Sequence, residues 1–223
     1  IGLSLVGSEM CIRDSNMAKL LVGSEGTLAT FKNIELYLQQ IPQHKVMGVC
    51  HFPTFYAAMD AAQHLVKLDP VAVELIDRTM IELARNIPIF KSTIDSFVKG
   101  EPDAVLLVEF SGDDLGSLKG KLQELDTMMS DLGYPKAIIE AIDPVFQSKI
   151  TEVRQQGLNI MMSMKTSGKP VSFIEDCAVP LENLAEYTHR LTEVFKKYGT
   201  DGTWYAHASV GCLHVRPVLD MKK

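Results

Sequence analysis

The chain has 223 residues and a formal net charge of −6, and no long cluster of Lys and Arg interrupts it. This composition argues against a nucleic-acid or anionic-membrane surface and favours small molecules or proteins as partners. The scattered cysteines form no C-x-x-C pair, and no apolar run approaches the roughly 20 residues that span a bilayer. We therefore expect a cytoplasmic protein without a transmembrane segment, with peripheral attachment at the inner membrane as a further option.

The first residues stand apart from the rest. The letters LVGSE at residues 5–9 recur at residues 21–25, but the similarity ends there. Codons for Glu9 to Ser15 can be written so that they resemble a transposon-end adapter used in sequencing libraries. We expect residues 1–15 to be a sequencing-adapter scar and exclude them from the fold prediction; a native N-terminal strand is the alternative.

Further along the chain, periodicity predicts alternating strands and helices. Thr54 is the expected N-cap of the first helix. In chain order the predictions are a strand at 46–52, helices at 55–68 and 71–85, a strand at 104–110, a helix at 115–133, strands at 137–142 and 171–179, a helix at 180–199, and two short strands around Ser209-Val210-Gly211. The pattern indicates an α+β fold: a largely antiparallel sheet with helices packed on one face, as in a ferredoxin-like domain.

A glycine-rich stretch, LVGSEGTLA, is the first candidate site. Gly23 and Gly26 permit positive φ angles, and the backbone N–H groups with the Ser24 and Thr27 hydroxyls could bind phosphate oxygens. An ordinary glycine turn is the alternative, because the spacing matches no established phosphate-binding pattern.

The second candidate site is a pair of histidines, His207 and His214. On one uninterrupted strand their odd separation would point the two rings to opposite faces. A tight hairpin at Ser209-Val210-Gly211 would let both rings converge on a metal or a substrate hydroxyl. Two structural histidines are the alternative, since two imidazoles are one or two ligands short of a zinc site. Arg216 lies on the His214 face if the strand continues and could pair with a carboxylate; a surface arginine is the alternative. Arg154 could bind an acid substrate or face solvent.

Three stretches together are similar to one known family. LLVGSEGTLA resembles the last flavin-binding segment of the FAD-linked oxidases related to vanillyl-alcohol oxidase and glycolate oxidase. FIEDCAVP resembles their E-D-x-A-V-P strand, and HASVGCLH matches the paired histidines of their H-x-G-D-G-N-x-H motif. The resemblance extends over residues 18–223 and is strongest to the bacterial type that fuses the flavin dehydrogenase to an iron–sulfur module.

This resemblance implies a domain organisation and a reaction. Residues 16–42 would be the last strands of an FAD-binding domain, and residues 43–223 a C-terminal substrate or cap domain that is truncated at its C-terminus. The reaction would be oxidation of D-2-hydroxyglutarate or D-lactate to the 2-oxo acid by hydride transfer to FAD. The implied electron acceptor is an iron–sulfur module, a quinone or another flavoprotein.

The resemblance also implies roles for individual residues. Gly23, Ser24, Glu25, Gly26 and Thr27 would contact FAD. His207 and His214 would be catalytic, holding a divalent metal such as zinc or orienting the substrate. Arg154 and Arg216 would bind the substrate carboxylate. The family's third metal ligand and catalytic histidine would lie beyond Lys223, and Val210-Gly211-Cys212 replaces its Asp-Gly-Asn.

Two other functions remain open on the sequence. One is a flavin-dependent alcohol or ether-lipid oxidase on the same scaffold, which would not require a carboxylate-binding arginine. The other is a non-catalytic ferredoxin-like binding module, which would need neither the glycine motif nor the histidine pair.

Overall fold

The structure is a computed structural model that describes residues 16–38, 40–174 and 177–222. The chain divides into two compact units, Ile1–Ile41 and Pro42–Lys223. The expected adapter scar at residues 1–15 lies outside the described residues.

The described part of the first unit contains one helix, α1 (Met17–Gly23), and no strand. Asn16 begins the helix, because its side-chain oxygen accepts hydrogen bonds from the backbone N–H groups of Ala18 and Lys19 at 2.9 and 3.3 Å. The strands expected in this segment do not form among its described residues. A strand needs a neighbouring strand to pair its backbone groups, whereas a helix satisfies them locally.

The second unit contains all the remaining elements of the described chain. Its strands are β1 (His44–Phe52), β2 (Ala72–Asp77), β3 (Ala104–Gly112), β4 (Ile138–Ala141), β5 (Lys169–Pro170), β6 (Cys177–Ala178), β7 (Gly202–His207) and β8 (Cys212–Leu219). Its helices are α2 (Phe55–Leu65), α3 (Arg78–Arg85), α4 (Pro88–Phe97), α5 (Leu115–Asp131), α6 (Pro144–Gln155), α7 (Gly157–Met162) and α8 (Leu184–Lys197).

The strands form a sheet in the order β4-β1-β3-β2-β7-β8-β5, with β6 also paired to β8. Every strand pairing among the described residues is antiparallel. The predicted α+β class and antiparallel sheet are therefore confirmed.

Helices cover both faces of this sheet, which differs from the prediction of one covered face. Alternate residues of β3 show the division: Leu106 and Val108 pack with α2, α5 and α8, whereas Val105 and Leu107 pack with α3, α4, α6 and α7. The run AVLLV is apolar without alternation, which is typical of a strand buried on both sides. The prediction of one covered face was wrong, because the unbroken apolar run in β3 already indicated burial on both sides.

Two predicted elements also differ from the structure. The helix expected over residues 71–85 is instead strand β2 followed by helix α3, and Asp77 caps the helix by accepting a hydrogen bond from the Met80 N–H at 2.8 Å. Of the strand expected over 171–179, Cys177–Ala178 forms strand β6, and residues 175 and 176 lie outside the described residues. The Thr54 cap of α2 is confirmed, since its side chain accepts from the Ala57 N–H.

Candidate active site

The β7–β8 hairpin presents one polar face. Its register pairs Tyr205 with His214 and His207 with Cys212, so Tyr205, His207, His214 and Arg216 project from the same side. The opposite side carries buried Trp204, Ala206, Leu213 and Val215. A short 3₁₀ turn at Ala208–Val210 joins the strands. Because of the hairpin, His207 and His214 lie on the same face although they are seven positions apart in the sequence.

Gly211 makes this turn possible. Its φ is +66°, in the left-handed region, and a Cβ at this position would lie 1.9 Å from the carbonyl oxygen of Val179. Val179 in turn donates its N–H to the Gly211 carbonyl at 2.9 Å. Because the two backbones approach so closely, we expect only glycine to fit here.

The two histidine rings lie together, as the hairpin argument requires. The centroids of His207 and His214 are 5.3 Å apart, and the ring planes are close to perpendicular. His214 also stacks on Tyr205, with 4.5 Å between the ring centroids. The structure thus brings the two predicted site residues into one cluster, while their roles as metal ligands or catalytic groups stay predictions.

Glu74, which the sequence analysis did not identify, joins this cluster from β2. Its carboxylate oxygens lie 2.8 and 3.0 Å from Nδ1 of His207, and it accepts a hydrogen bond from Nη2 of Arg154. Arg154 projects from the last turn of α6, and its guanidinium carbon lies 5.6 Å from the centroid of the Tyr205 ring. Predicted residues Arg154 and His207 therefore share one carboxylate partner.

Glu74 was not identified as a site residue because the sequence analysis predicted a helix over residues 71–85, where the structure has strand β2. In AVELID the apolar Val73 and Leu75 alternate with Ala72 and Glu74, and this period of two indicates a half-buried strand. That alternation was a signal for β2. The pairing of Glu74 with His207 could not be predicted from a local pattern, because the two residues are 133 positions apart in the sequence.

A cleft of about 220 Å³ opens beside these residues. Glu74, Arg154 and His207 line it, together with Glu109 from β3 and Thr151 from α6. The side chains of Arg154 and Glu74 are 18% and 20% exposed, whereas that of His207 is 45% exposed. A small polar ligand could therefore reach His207 while the Arg154–Glu74 pair remains mostly shielded from solvent, which strengthens its electrostatic interaction.

Arg216, the other predicted carboxylate ligand, lies two residues beyond His214 on the same face of β8. One strand repeat of two residues is about 7 Å. The structure places Arg216 on the polar face of the hairpin, and its role in binding a substrate stays a prediction.

The glycine-rich stretch of the first unit forms the end of a helix. Gly23 is the last residue of α1, and Ser24 follows as its C-cap. The Ser24 and Thr27 hydroxyls donate to the carbonyls of Leu21 and Ser24 at 2.7 and 2.6 Å, so neither hydroxyl hydrogen faces outward. Of the two glycines, Gly26 has a positive φ, +79°, whereas Gly23 is helical. FAD binding by this loop stays a prediction.

The described residues offer an incomplete set of metal ligands. No group of three or more His, Cys, Asp or Glu side chains within residues 16–38, 40–174 and 177–222 is arranged to hold a metal ion. His207 and His214 would supply two imidazoles, fewer than the three or four protein ligands usual for zinc. The described side chains therefore do not complete a zinc site.

One protein family matches most of the sequence. Residues 41–223 match the model of the FAD linked oxidases, C-terminal domain. The chain therefore belongs to this family of flavin oxidoreductases. Within the part of the chain that the structure describes, no helix is long and apolar enough to cross a membrane.

Two of the named relatives are dehydrogenases. The chain is 29% identical over 219 residues to the D-2-hydroxyglutarate dehydrogenase of Pantoea ananatis, covering 92% of the chain and 21% of that protein. It is 28% identical over 207 residues to the mitochondrial D-lactate dehydrogenase [cytochrome] of Arabidopsis thaliana, covering 92% of the chain and 34% of that protein. The chain thus spans between a fifth and a third of the length of these relatives.

Solved structures show the same fold at low identity. A p-cresol methylhydroxylase superposes with a TM-score of 0.57 at 11% identity, covering 82% of this chain and 40% of that one. An alkyldihydroxyacetonephosphate synthase superposes with a TM-score of 0.52 at 15% identity, covering 82% of this chain and 38% of that one. At these identities the similarity supports the fold alone.

Proposed function

We propose that this chain is the substrate domain of an FAD-dependent dehydrogenase that oxidises a D-2-hydroxy acid, D-2-hydroxyglutarate or D-lactate, to the 2-oxo acid. The observation that carries the proposal is the meeting of Arg154, Glu74 and His207 in one cleft, with His214 beside them. The names of the relatives support the same substrate class.

In this proposal Arg154 binds the substrate carboxylate. A guanidinium carries five N–H donors and remains charged, so it can hold one carboxylate at Nη2 and offer other donors to a second. Arg216 on the hairpin face would add a further positive charge. These two residues would fix the acid end of the substrate and thereby orient its Cα.

The histidines act at the hydroxyl end. A neutral imidazole nitrogen of His207 or His214 accepts a hydrogen bond from the substrate hydroxyl and takes its proton as the carbonyl forms. Bound FAD supplies the acceptor for the hydride that leaves Cα. The electrons then pass to an acceptor, for which an iron–sulfur module, a quinone or another flavoprotein are the proposals.

Three cofactor assignments belong to the proposal. FAD would be contacted by the Gly23–Thr27 loop, and a separate module would hold an iron–sulfur cluster. A divalent metal such as zinc at His207 and His214 is the alternative to their role as proton acceptors, and it would need at least one further ligand from outside the described residues. Family membership supports FAD. The metal and the cluster rest on the motif resemblance alone.

Steady-state kinetics of the full-length flavoprotein test this function. With D-2-hydroxyglutarate and D-lactate as substrates and a dye as acceptor, His207→Ala should lower kcat, because proton transfer occurs in the transition state. Arg154→Met should raise KM about 10–100-fold, as expected for a charge-assisted hydrogen bond of about 1.5–3 kcal/mol.

The matched control is Arg190→Met, since Arg190 lies exposed on α8 and pairs with Glu186. This variant should keep the wild-type KM. Turnover of neutral alcohols with a KM that Arg154→Met leaves unchanged would contradict the proposal and favour an alcohol or ether-lipid oxidase.

A further inference from the structure

Glu74 contacts His207 and Arg154, the two residues that the sequence analysis predicted to act on the substrate. It is the direct cross-strand partner of His207 in the β2–β7 register, so the backbone brings the two side chains together. Its carboxylate also accepts from Nη2 of Arg154, which arrives from α6. The position of Glu74 is therefore set by the sheet rather than by a loop.

We propose that Glu74 is a positioning residue that holds the proton of neutral His207 on Nδ1 and leaves the lone pair on Nε2. The assignment of the proton concerns the chain itself. Its consequence for catalysis, that Nε2 is the nitrogen that can accept the substrate proton, rests on the proposed function.

The distances around Nδ1 of His207 decide the tautomer. An ionised carboxylate can only accept a hydrogen bond and a guanidinium can only donate one, so Glu74 and Arg154 require opposite protonation states of Nδ1. The Glu74 oxygens lie 2.8 and 3.0 Å from Nδ1, whereas Nη2 of Arg154 lies 3.5 Å away. The shorter contact is within the normal range for a hydrogen bond, and it favours a proton on Nδ1.

Arg154 depends on the same carboxylate. Its Nε is buried and has no hydrogen-bond partner among the described residues, so the bond from Nη2 to Glu74 is a main anchor of the guanidinium. Without Glu74, Nδ1 of His207 would lose its carboxylate acceptor, and any contact with Nη2 of Arg154 that persists would present a donor to Nδ1. Removal of Glu74 should therefore abolish its hydrogen bond with Nδ1 of His207 and also move the His207 proton from Nδ1 to Nε2.

Nuclear magnetic resonance of the ¹⁵N-histidine-labelled chain tests this proposal without flavin or substrate. Spectra at about pH 9, where an ordinary imidazole is neutral, report which ring nitrogen carries hydrogen. The wild-type chain should show His207 protonated on Nδ1. Glu74→Ala should shift the ratio of the two tautomers toward Nε2–H by about tenfold or more, the effect of a lost charge-assisted hydrogen bond.

Two further variants separate the neighbours of His207. Arg154→Met should keep the proton on Nδ1, because Glu74 remains as the acceptor. Glu109→Gln removes another carboxylate that lines the cleft and should also keep it. If Glu74→Ala does not fold, the wild-type and Arg154→Met spectra still decide the question.

A wild-type His207 protonated on Nε2 would overturn the proposal, as would a tautomer that changes in Arg154→Met but not in Glu74→Ala. Both outcomes are independent of whether the full-length protein oxidises a hydroxy acid. Conversely, a confirmed tautomer in an enzyme that does not oxidise hydroxy acids would contradict the proposed function alone.

Discussion

The two faces of the β7–β8 hairpin use the same strands for different purposes. One face carries Trp204, Ala206, Leu213 and Val215 into the core beneath α2 and α8. On the other face, His214 contacts both Tyr205 and His207, which in turn contact Arg154 of α6 and Glu74 of β2. Alternate residues of the hairpin therefore belong to the core and to the polar cluster. Substitutions on the core face should lower the free energy of unfolding, whereas those on the polar face should mainly change the candidate site.

The largest effect is expected on the core face, for Trp204→Ala. The Trp204 ring is buried between Phe55 and Phe195, at centroid distances of 5.5 and 6.1 Å. Its removal leaves a cavity and should lower the free energy of unfolding by about 3–5 kcal/mol, measured by chemical denaturation. Phe173→Ala is the control, because Phe173 is exposed, and equal losses in the two variants would contradict the assignment of Trp204 to the core.

The turn that joins the two strands should be nearly as sensitive. Gly211→Ala forces a Cβ against the Val179 carbonyl and should cost about 3 kcal/mol of unfolding free energy. Gly199 has a similar φ, +68°, but a Cβ there would meet no atom within 4 Å, so Gly199→Ala should cost only about 1 kcal/mol. A Gly211→Ala variant no less stable than Gly199→Ala would show that the backbone at Val179 moves aside.

Buried Asp77, at the end of β2, should make the free energy of unfolding depend on pH. Burial raises the pKa of Asp77 to about 6, against the opposing effect of hydrogen bonds from the N–H groups of Met80 and Trp204. A carboxyl whose pKa is raised on folding favours the folded state while it is protonated. Stability from this group is therefore full below about pH 4 and is lost as the pH rises through about 6, a change of roughly 2–3 kcal/mol.

Unfolding free energies of the wild type and Asp77→Asn, compared between pH 4 and pH 7, measure this contribution. The amide does not titrate, so the difference between the two proteins should change across this interval with the stated sign. A difference that is independent of pH would show that the Asp77 carboxyl does not titrate in this interval.

Local signals in the sequence predicted much of the fold. Thr54 before an Ala- and Leu-rich segment predicted the start of α2, and the Ser-Val-Gly turn predicted the hairpin that brings His207 and His214 together. The helices on the second face were missed, although the run AVLLV in β3, apolar without alternation, indicated a strand buried on both sides.

The candidate site was harder to predict because its contacts are long-range. Glu74 lies 80 positions from Arg154 and 133 from His207, so no local pattern links them. Arg154 was one of two candidates for binding a carboxylate, and the resemblance to the flavin oxidases favoured that role over a solvent-exposed arginine. Glu74 required the sheet register. Cross-strand pairing, rather than motif spacing, is what assembles this site.

The smallest effect is expected on the polar face, for Tyr205→Leu. The Tyr205 ring stacks on His214 and lies 5.6 Å from the guanidinium carbon of Arg154, and such aromatic and cation–π contacts contribute about 0.5–1 kcal/mol each. We expect a loss of about 1 kcal/mol in unfolding free energy, and none beyond about 0.5 kcal/mol for Tyr205→Phe, which keeps the ring. A Tyr205→Leu loss as large as that of neighbouring Trp204→Ala would mean that this face is also part of the core, and the separation of stability from chemistry along β7 would fail.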